Sequence, residues 1–277
     1  ADCADSNRIT ASKDEVYRVT AEWAVSEDLM VYSSWGEGYR PGGLNRFCSV
    51  GNTADYGGQG RDDATGAQCD FTPDFLTSYE VGIKATLMDG RMQVNAAAFL
   101  QDWDNFQFSR LDTSISPVTL TYNIGQAKSD GFEADFSVML TETWSLSGAG
   151  SYIQAELSQD YYASDGLAAP TAANGTQLPR VPEVKWNLST RYGFNTDWFV
   201  QASYIYTGSS YNNLFDGGSI PTRRYKQEDY QILNASIGVD RDSWVAEMYV
   251  RNLTDERGEV FRNAVNWDER VMTNRPR

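Results

Sequence analysis

Apolar and polar residues alternate with a period of two along most of this chain, and the alternation breaks at short turns. From Ser78 to Leu87 the pattern is cleanest. Tyr79, Val81, Ile83, Ala85 and Leu87 fall on one face; Ser78, Glu80, Gly82, Lys84 and Thr86 fall on the other. Met88-Asp89-Gly90 follows, where Asp-Gly supplies the left-handed geometry of a tight hairpin. Arg91 to Trp103 returns, with Met92, Val94, Ala96, Ala98 and Leu100 on one face and Gln93, Asn95, Ala97, Phe99 and Gln101 opposite.

The scheme recurs. Phe132, Ala134, Phe136, Val138 and Leu140 alternate with Gly131, Glu133, Asp135 and Ser137, and the return strand runs from Trp144 to about Leu157. Further pairs are Trp186 to Phe194 with Trp198 to Tyr206, and Tyr230 to Val239 with Trp244 to Asn252. An earlier pair, Tyr17 to Val25 and Leu29 to Tyr39, is joined by Ser26-Glu27-Asp28. Its faces stay ambiguous because Val31, Tyr32, Trp35 and Gly36 do not alternate cleanly. The pattern thus predicts ten strands in five hairpins. Trp144, Trp198 and Trp244 each follow a short turn.

Between hairpins the connections are long, about 40–76, 104–126, 158–183, 207–229 and 253–277, which is unusual for a compact soluble domain. Short turns at one end, long loops at the other and aromatics at strand ends predict an antiparallel transmembrane β-barrel. On that reading the three Trp residues form an aromatic girdle at the periplasmic interface, their N–H groups reaching water. Glu80, Lys84, Glu133, Asp135, Arg191, Glu247 and Arg251 lie on polar faces. They are expected to face the lumen, since Lys or Arg toward lipid at the midplane costs roughly 2–4 kcal/mol. Both signs occur, so pairing among themselves or with something filling the barrel is open. A soluble sheet with this face in water is the competing reading.

Composition narrows the field. No stretch approaches the roughly 18 consecutive apolar residues of a membrane helix. The net charge of −15 argues against a nucleic-acid partner. There is no His, which removes Ser-His-Asp triads and most zinc sites. Asp62-Asp63 and Asp102/Asp104 are better read as surface carboxylates than as a glycosidase pair, and Gly57-Gly58-Gln59-Gly60 reads as a loop. No catalytic, metal or cofactor site is expected. Cys48 and Cys69 bracket a Gly-, Asp- and Asn-rich segment, and a disulfide between them suits an oxidising compartment. Three unpaired thiols is the alternative. Cys3 is left over and suggests a partner upstream of Ala1. The chain opens without a basic and apolar leader and ends after a long loop, so it is expected to be part of a longer barrel.

Several segments carry a family resemblance. Tyr32-Ser33-Ser34-Trp35-Gly36-Glu37-Gly38-Tyr39-Arg40-Pro41-Gly42-Gly43-Leu44-Asn45 resembles a strand-and-loop signature of TonB-dependent outer-membrane receptors. Ser78-Tyr79-Glu80-Val81-Gly82-Ile83-Lys84, with Asp89-Gly90-Arg91 and Ala98-Phe99, looks like the next hairpin of that family. Asn123-Ile124-Gly125-Gln126-Ala127 followed by Gly131-Phe132-Glu133-Ala134 is similar to its N-x-G-x-A…G-x-E strand. Leu178-Pro179-Arg180-Val181-Pro182 and Val250-Arg251-Asn252-Leu253-Thr254-Asp255-Glu256 match later segments. Arg275-Pro276-Arg277 looks like the start of the last strand.

The resemblance implies a 22-stranded, plugged barrel. Residues 1–277 would supply about ten strands of its C-terminal part, without plug, early strands or final strand. It implies an outer-membrane receptor that binds a ferric siderophore or similar iron complex and imports it with TonB-delivered energy. Its partners would be TonB with the inner-membrane energy-coupling complex, outer-membrane lipid and lipopolysaccharide, and the small-molecule ligand. The loops would form part of the binding vestibule, with Arg40, Asn45, Arg46, Tyr56, Trp103, Phe106, Phe108, Arg223, Arg224 and Tyr225 as candidate contacts. Arg beside aromatics suits anionic, catechol-like or ring-bearing ligands. A passive porin and a soluble all-β adhesin or carbohydrate-binding module are the alternatives.

Overall fold

The computed structural model describes residues 13–45, 53–56, 59–62, 70–111, 119–163, 168–215, 224–262 and 271–276. Among them every regular element is a strand. Ten strands form one sheet in strict chain order. They are β1 (Arg18–Ala24), β2 (Leu29–Arg40), β3 (Asp74–Leu87), β4 (Met92–Asp104), β5 (Ala127–Thr141), β6 (Trp144–Leu157), β7 (Val184–Phe194), β8 (Trp198–Thr207), β9 (Tyr230–Arg241) and β10 (Trp244–Val250). Every neighbouring pair is antiparallel. The expected hairpins therefore form, and several strands start earlier than expected: β3 at Asp74 and β5 at Ala127.

All the short turns lie at one end. Met88, Asp89 and Gly90 have φ of 57°, 56° and 83°, so the left-handed stretch includes Met88 as well as Asp-Gly. Thr141 pairs with Trp144, Phe194 with Trp198 and Arg241 with Trp244. Each Trp is thus the first residue of its strand, directly opposite the end of the one before.

The long connections share the other end and carry short hairpins of their own. They pair 43–44 with 70–71, 53–56 with 59–62, 107–111 with 119–123, 210–211 with 226–227 and 259–262 with 271–273. Gln59 and Gly60, read from the sequence as loop, open one of these strands. Cys3, Cys48, Cys69, Arg46 and Arg223 lie outside the described residues, and of Tyr56 only the strand backbone is described.

Register separates the two faces of the sheet. Val31, Ile83, Ala96 and Ala134 share one row, and Lys84, Asn95 and Asp135 share a row of opposite parity. Tyr79, Val81, Ile83 and Leu87 are exposed on the apolar face, as are Leu100, Phe132, Val200 and Met248. A row of unpacked apolar side chains this long would leave an aqueous sheet aggregation-prone, whereas a bilayer satisfies it. The ambiguous strand also resolves. Val31 and Trp35 join the apolar face, while Tyr32 faces inward over Gly82, where a Cβ would sit 2.5 Å from its ring. The polar face borders an open hollow of about 480 Å³ lined from β2 to β8, as expected of a sheet that curves toward this face. Among the described residues, β1 and β10 are paired on one side only.

Candidate functional site: the loop-bearing end

The loops are not loose tethers. Phe106, Leu120, Ile124, Leu178, Leu214 and Phe215 pack with Ala127, Ala155 and Leu157 of the upper strands into one buried cluster. Trp103 meets Phe106 at 5.0 Å between ring centroids, and Phe108 meets Phe215 edge-on at 5.5 Å. Three separate connections thus share a core of their own, which fixes them against the barrel wall.

Polar side chains stitch the same region. The Arg40 guanidinium donates to the buried Asp74 carboxylate, with Nε 3.0 Å from each oxygen, and its NH2 also reaches the Gln107 carbonyl at 3.0 Å. The Gln107 backbone N–H donates to Asp74 Oδ2 at 2.9 Å. Arg40 also lies over the rings of Trp103 and Phe106, at 5.4 and 5.5 Å. Asn123 Oδ1 accepts from the Thr72 N–H at 2.8 Å, and its Nδ2 donates to the carbonyls of Thr72 and Asn105 at 3.0 and 2.8 Å. Asn45 makes a two-way bond with Thr121, 2.7 and 2.9 Å, across 76 residues of sequence. Asn and Gln suit this work because each amide both donates and accepts.

This arrangement sorts the candidate contacts. Arg40 has its charge answered by Asp74, Asn45 is engaged with Thr121, and Trp103, Phe106 and Phe108 belong to or pack against the loop core. Arg224 lies over the Tyr211 ring at 3.7 Å, and the Tyr225 ring lies under Arg262 at 4.4 Å. Sequence reasoning missed Asp74, Asn105, Gln107 and Asn123, and also Arg180, Tyr211 and Arg262. The N-x-G-x-A segment was the one available signal for Asn123.

On the inner wall, register places Glu80, Lys84, Glu133, Asp135, Arg191 and Glu247 on the polar face together, and Arg251 lies one residue beyond the end of β10. Lys84, Glu133 and Asp135 line the hollow. Asn95 donates to Asp135 at 2.9 Å, Lys84 lies 5.8 Å over Tyr32, and Arg251 lies 5.0 Å over Tyr249. Arg191 covers the Phe199 ring at 3.5 Å and approaches Asp240 at 3.8 Å. At the turn end Trp144, Trp198 and Trp244 are exposed on the apolar face. The Trp144 N–H does not point to water as expected; it donates to Thr190 Oγ1 at 2.9 Å.

A family model described as TonB dependent receptor-like, beta-barrel matches residues 4–253. The chain therefore belongs to the β-barrel family of TonB-dependent receptors. It is 24% identical over 244 residues to the probable TonB-dependent siderophore receptor PiuA of Acinetobacter baumannii, a match covering 87% of this chain and 30% of PiuA. It is 30% identical over 208 residues to the metal-pseudopaline receptor CntO of Pseudomonas aeruginosa, covering 66% of this chain and 27% of CntO. The fold matches the PiuA crystal structure with a TM-score of 0.69 at 19% identity, over 94% of this chain and 34% of that one. The chain spans about a third of the length of these proteins.

Proposed function

We propose that the protein containing this chain is an outer-membrane receptor that imports a metal chelate of the siderophore type with energy delivered through TonB. The observation that carries the reading is the family match over 4–253, joined to relatives whose names are those of siderophore and metal-chelate receptors. The architecture is consistent with it. A polar inner wall can hold a separate plug, and a pre-organised loop end can present a ligand without first paying the entropy of ordering its loops. In this reading the loop end faces outside. The apolar face contacts lipid and lipopolysaccharide, and Trp144, Trp198 and Trp244 mark the periplasmic rim.

The vestibule contacts we propose within this chain are Arg224 and Tyr225, with Arg223 of the same connection and Arg46 and Tyr56 of the 40–76 connection. Arg40, Asn45, Trp103, Phe106 and Phe108 act one step back, holding the wall. Growth and radioactive-iron uptake in iron-limited cells test the function. Uptake should fall in a strain lacking the receptor and in one lacking TonB. Uptake that needs the receptor but is indifferent to TonB would make the protein a passive porin.

A further inference from the structure

A row of hydroxyl and amide side chains crosses the inner wall. Gln93 pairs with Ser137, Ser137 with Ser147, Ser147 with Ser189, Ser189 with Ser203 and Ser203 with Asn234, on consecutive strands from β4 to β9. Ser137 stands two residues from Asp135 on β5, so the whole row is on the polar face. The row is oblique. Gln93 lies beside the turn at the start of β4, whereas Asn234 lies in the middle of β9. Asn234 Nδ2 donates to Ser203 Oγ at 3.0 Å, and its Oδ1 accepts from the N–H of Asn252, just beyond β10, at 3.0 Å. The row therefore runs from the loop-facing half of the wall down to the turn end. Ser203 and Asn234 also border a recess of about 350 Å³.

No member of the row is charged, and the charged side chains beside it are occupied. Arg191, one row nearer the turns, leans away from Ser189: it lies 3.5 Å over Phe199 and 3.8 Å from Asp240, both closer to the turn end. Phe199 is itself buried, and a Cβ on Gly238 would meet its ring, so both large side chains lie low against the wall. On the other side of the row, Asp135 accepts from Asn95 at 2.9 Å. Neighbouring strands are about 4.8 Å apart, so the row offers a hydroxyl or amide at that interval. Each can donate and accept, and a serine hydroxyl turns to suit. Passage along a wall needs contacts strong enough to admit a solute and weak enough to release it, repeated closely so that one forms before the last is lost. A charged group would hold the solute longer, because charge-assisted hydrogen bonds are about twice as strong.

We propose that this row is the track along which an oxygen-rich metal chelate crosses the barrel. The proposal rests on the import reading above and adds to it the part of the wall that is used and the chemistry of the contacts.

The test uses the full-length receptor in iron-limited cells holding no other copy, and supplies radioactive iron equilibrated with their spent medium. Uptake is compared with binding to chilled cells. Replacing Ser147, Ser189 and Ser203 together by Ala removes three hydroxyls without adding bulk. Uptake should slow by roughly fivefold while binding stays within about twofold of the parent. The triple Thr variant, which restores the hydroxyls, should recover most of the loss. S203W should slow uptake further. A97W places the same indole off the row, as far along β4 from its turn as Ser203 is along β8, and should leave uptake near the parent's. Heat-modifiability on gels checks that each variant is a folded barrel. A folded triple Ala variant that imports iron as the parent does, or an A97W that fails as fully as S203W, overturns the track and leaves the import reading standing. A parent with no TonB-dependent uptake overturns the import reading and the track with it.

Discussion

Asp74 is completely buried while Arg40, its ion-pair partner, keeps 47% of its side-chain surface in solvent. The pair is therefore unequal, and the two halves should differ when removed. Without Arg40 the carboxylate stays buried with the Gln107 N–H as its remaining described donor. Without the Asp74 charge, the guanidinium can swing into water. We expect R40L to destabilise the loop end by about 3 kcal/mol and D74N by about 1–2 kcal/mol. Urea unfolding of the barrel from lipid vesicles, read alongside hydrogen exchange over 105–111, measures both. D74N costing as much as R40L would contradict this account.

Gly125 sits where the N-x-G-x-A segment turns toward β5, with φ of +97°. A Cβ there would lie 1.7 Å from Gln159 Nε2. Gly90 shares the left-handed conformation, φ +83°, but has nothing within 4 Å of its would-be Cβ. G90A should cost about 1 kcal/mol for backbone strain alone, and G125A at least about 2 kcal/mol because strain and clash add. Adding Q159A to G125A should recover the steric part and leave the strain. If the double variant is no more stable than G125A alone, the clash is not the cause.

Asn252, in the segment resembling the family's N-L-T-D motif, has φ of 53° and ties three stretches together. Its N–H donates to Asn234 Oδ1 at 3.0 Å, its Nδ2 donates to the carbonyls of Glu256 and Arg275 at 2.9 Å each, and its Oδ1 accepts from the Glu256 N–H at 2.9 Å. N252A loses the side-chain bonds and also strains the backbone; N252G loses the bonds only. Both should loosen the end of β10, with N252A worse by about 1 kcal/mol. Thermal unfolding in one detergent ranks them, and equal midpoints would show that the left-handed backbone contributes nothing.

These sites show where the sequence was legible and where it was not. The strands could be read because one face meets an apolar surroundings and the other does not, which imposes a period of two on residues such as those from Tyr79 to Leu87. The strand Leu29–Arg40 resisted because both of its faces carry aromatics. Tyr32 is tolerated inside only since Gly82, on the next strand, leaves room for its ring. The loop end was harder still. Asn45 bonds Thr121 and Arg40 bonds Asp74 across 76 and 34 residues, distances at which pattern carries no information. An arginine beside Trp103 and Phe106 looks the same in sequence whether it awaits a ligand or a buried carboxylate.

The two faces of the sheet should respond oppositely to charge. Val81 is exposed on the apolar face; Ser151 lies on the polar face, in register with Glu133 and Lys185. In a bilayer, V81K places an ammonium group toward hydrocarbon and should destabilise the barrel by roughly 2–4 kcal/mol near the midplane. S151K stays on the polar face, where Glu133 offsets Lys185, and should change stability by less than about 1 kcal/mol. In water a two-sided sheet would accept either lysine with little change. Refolding both variants into vesicles and comparing urea midpoints separates the cases, and a V81K barrel as stable as the parent would mean that this face does not contact lipid.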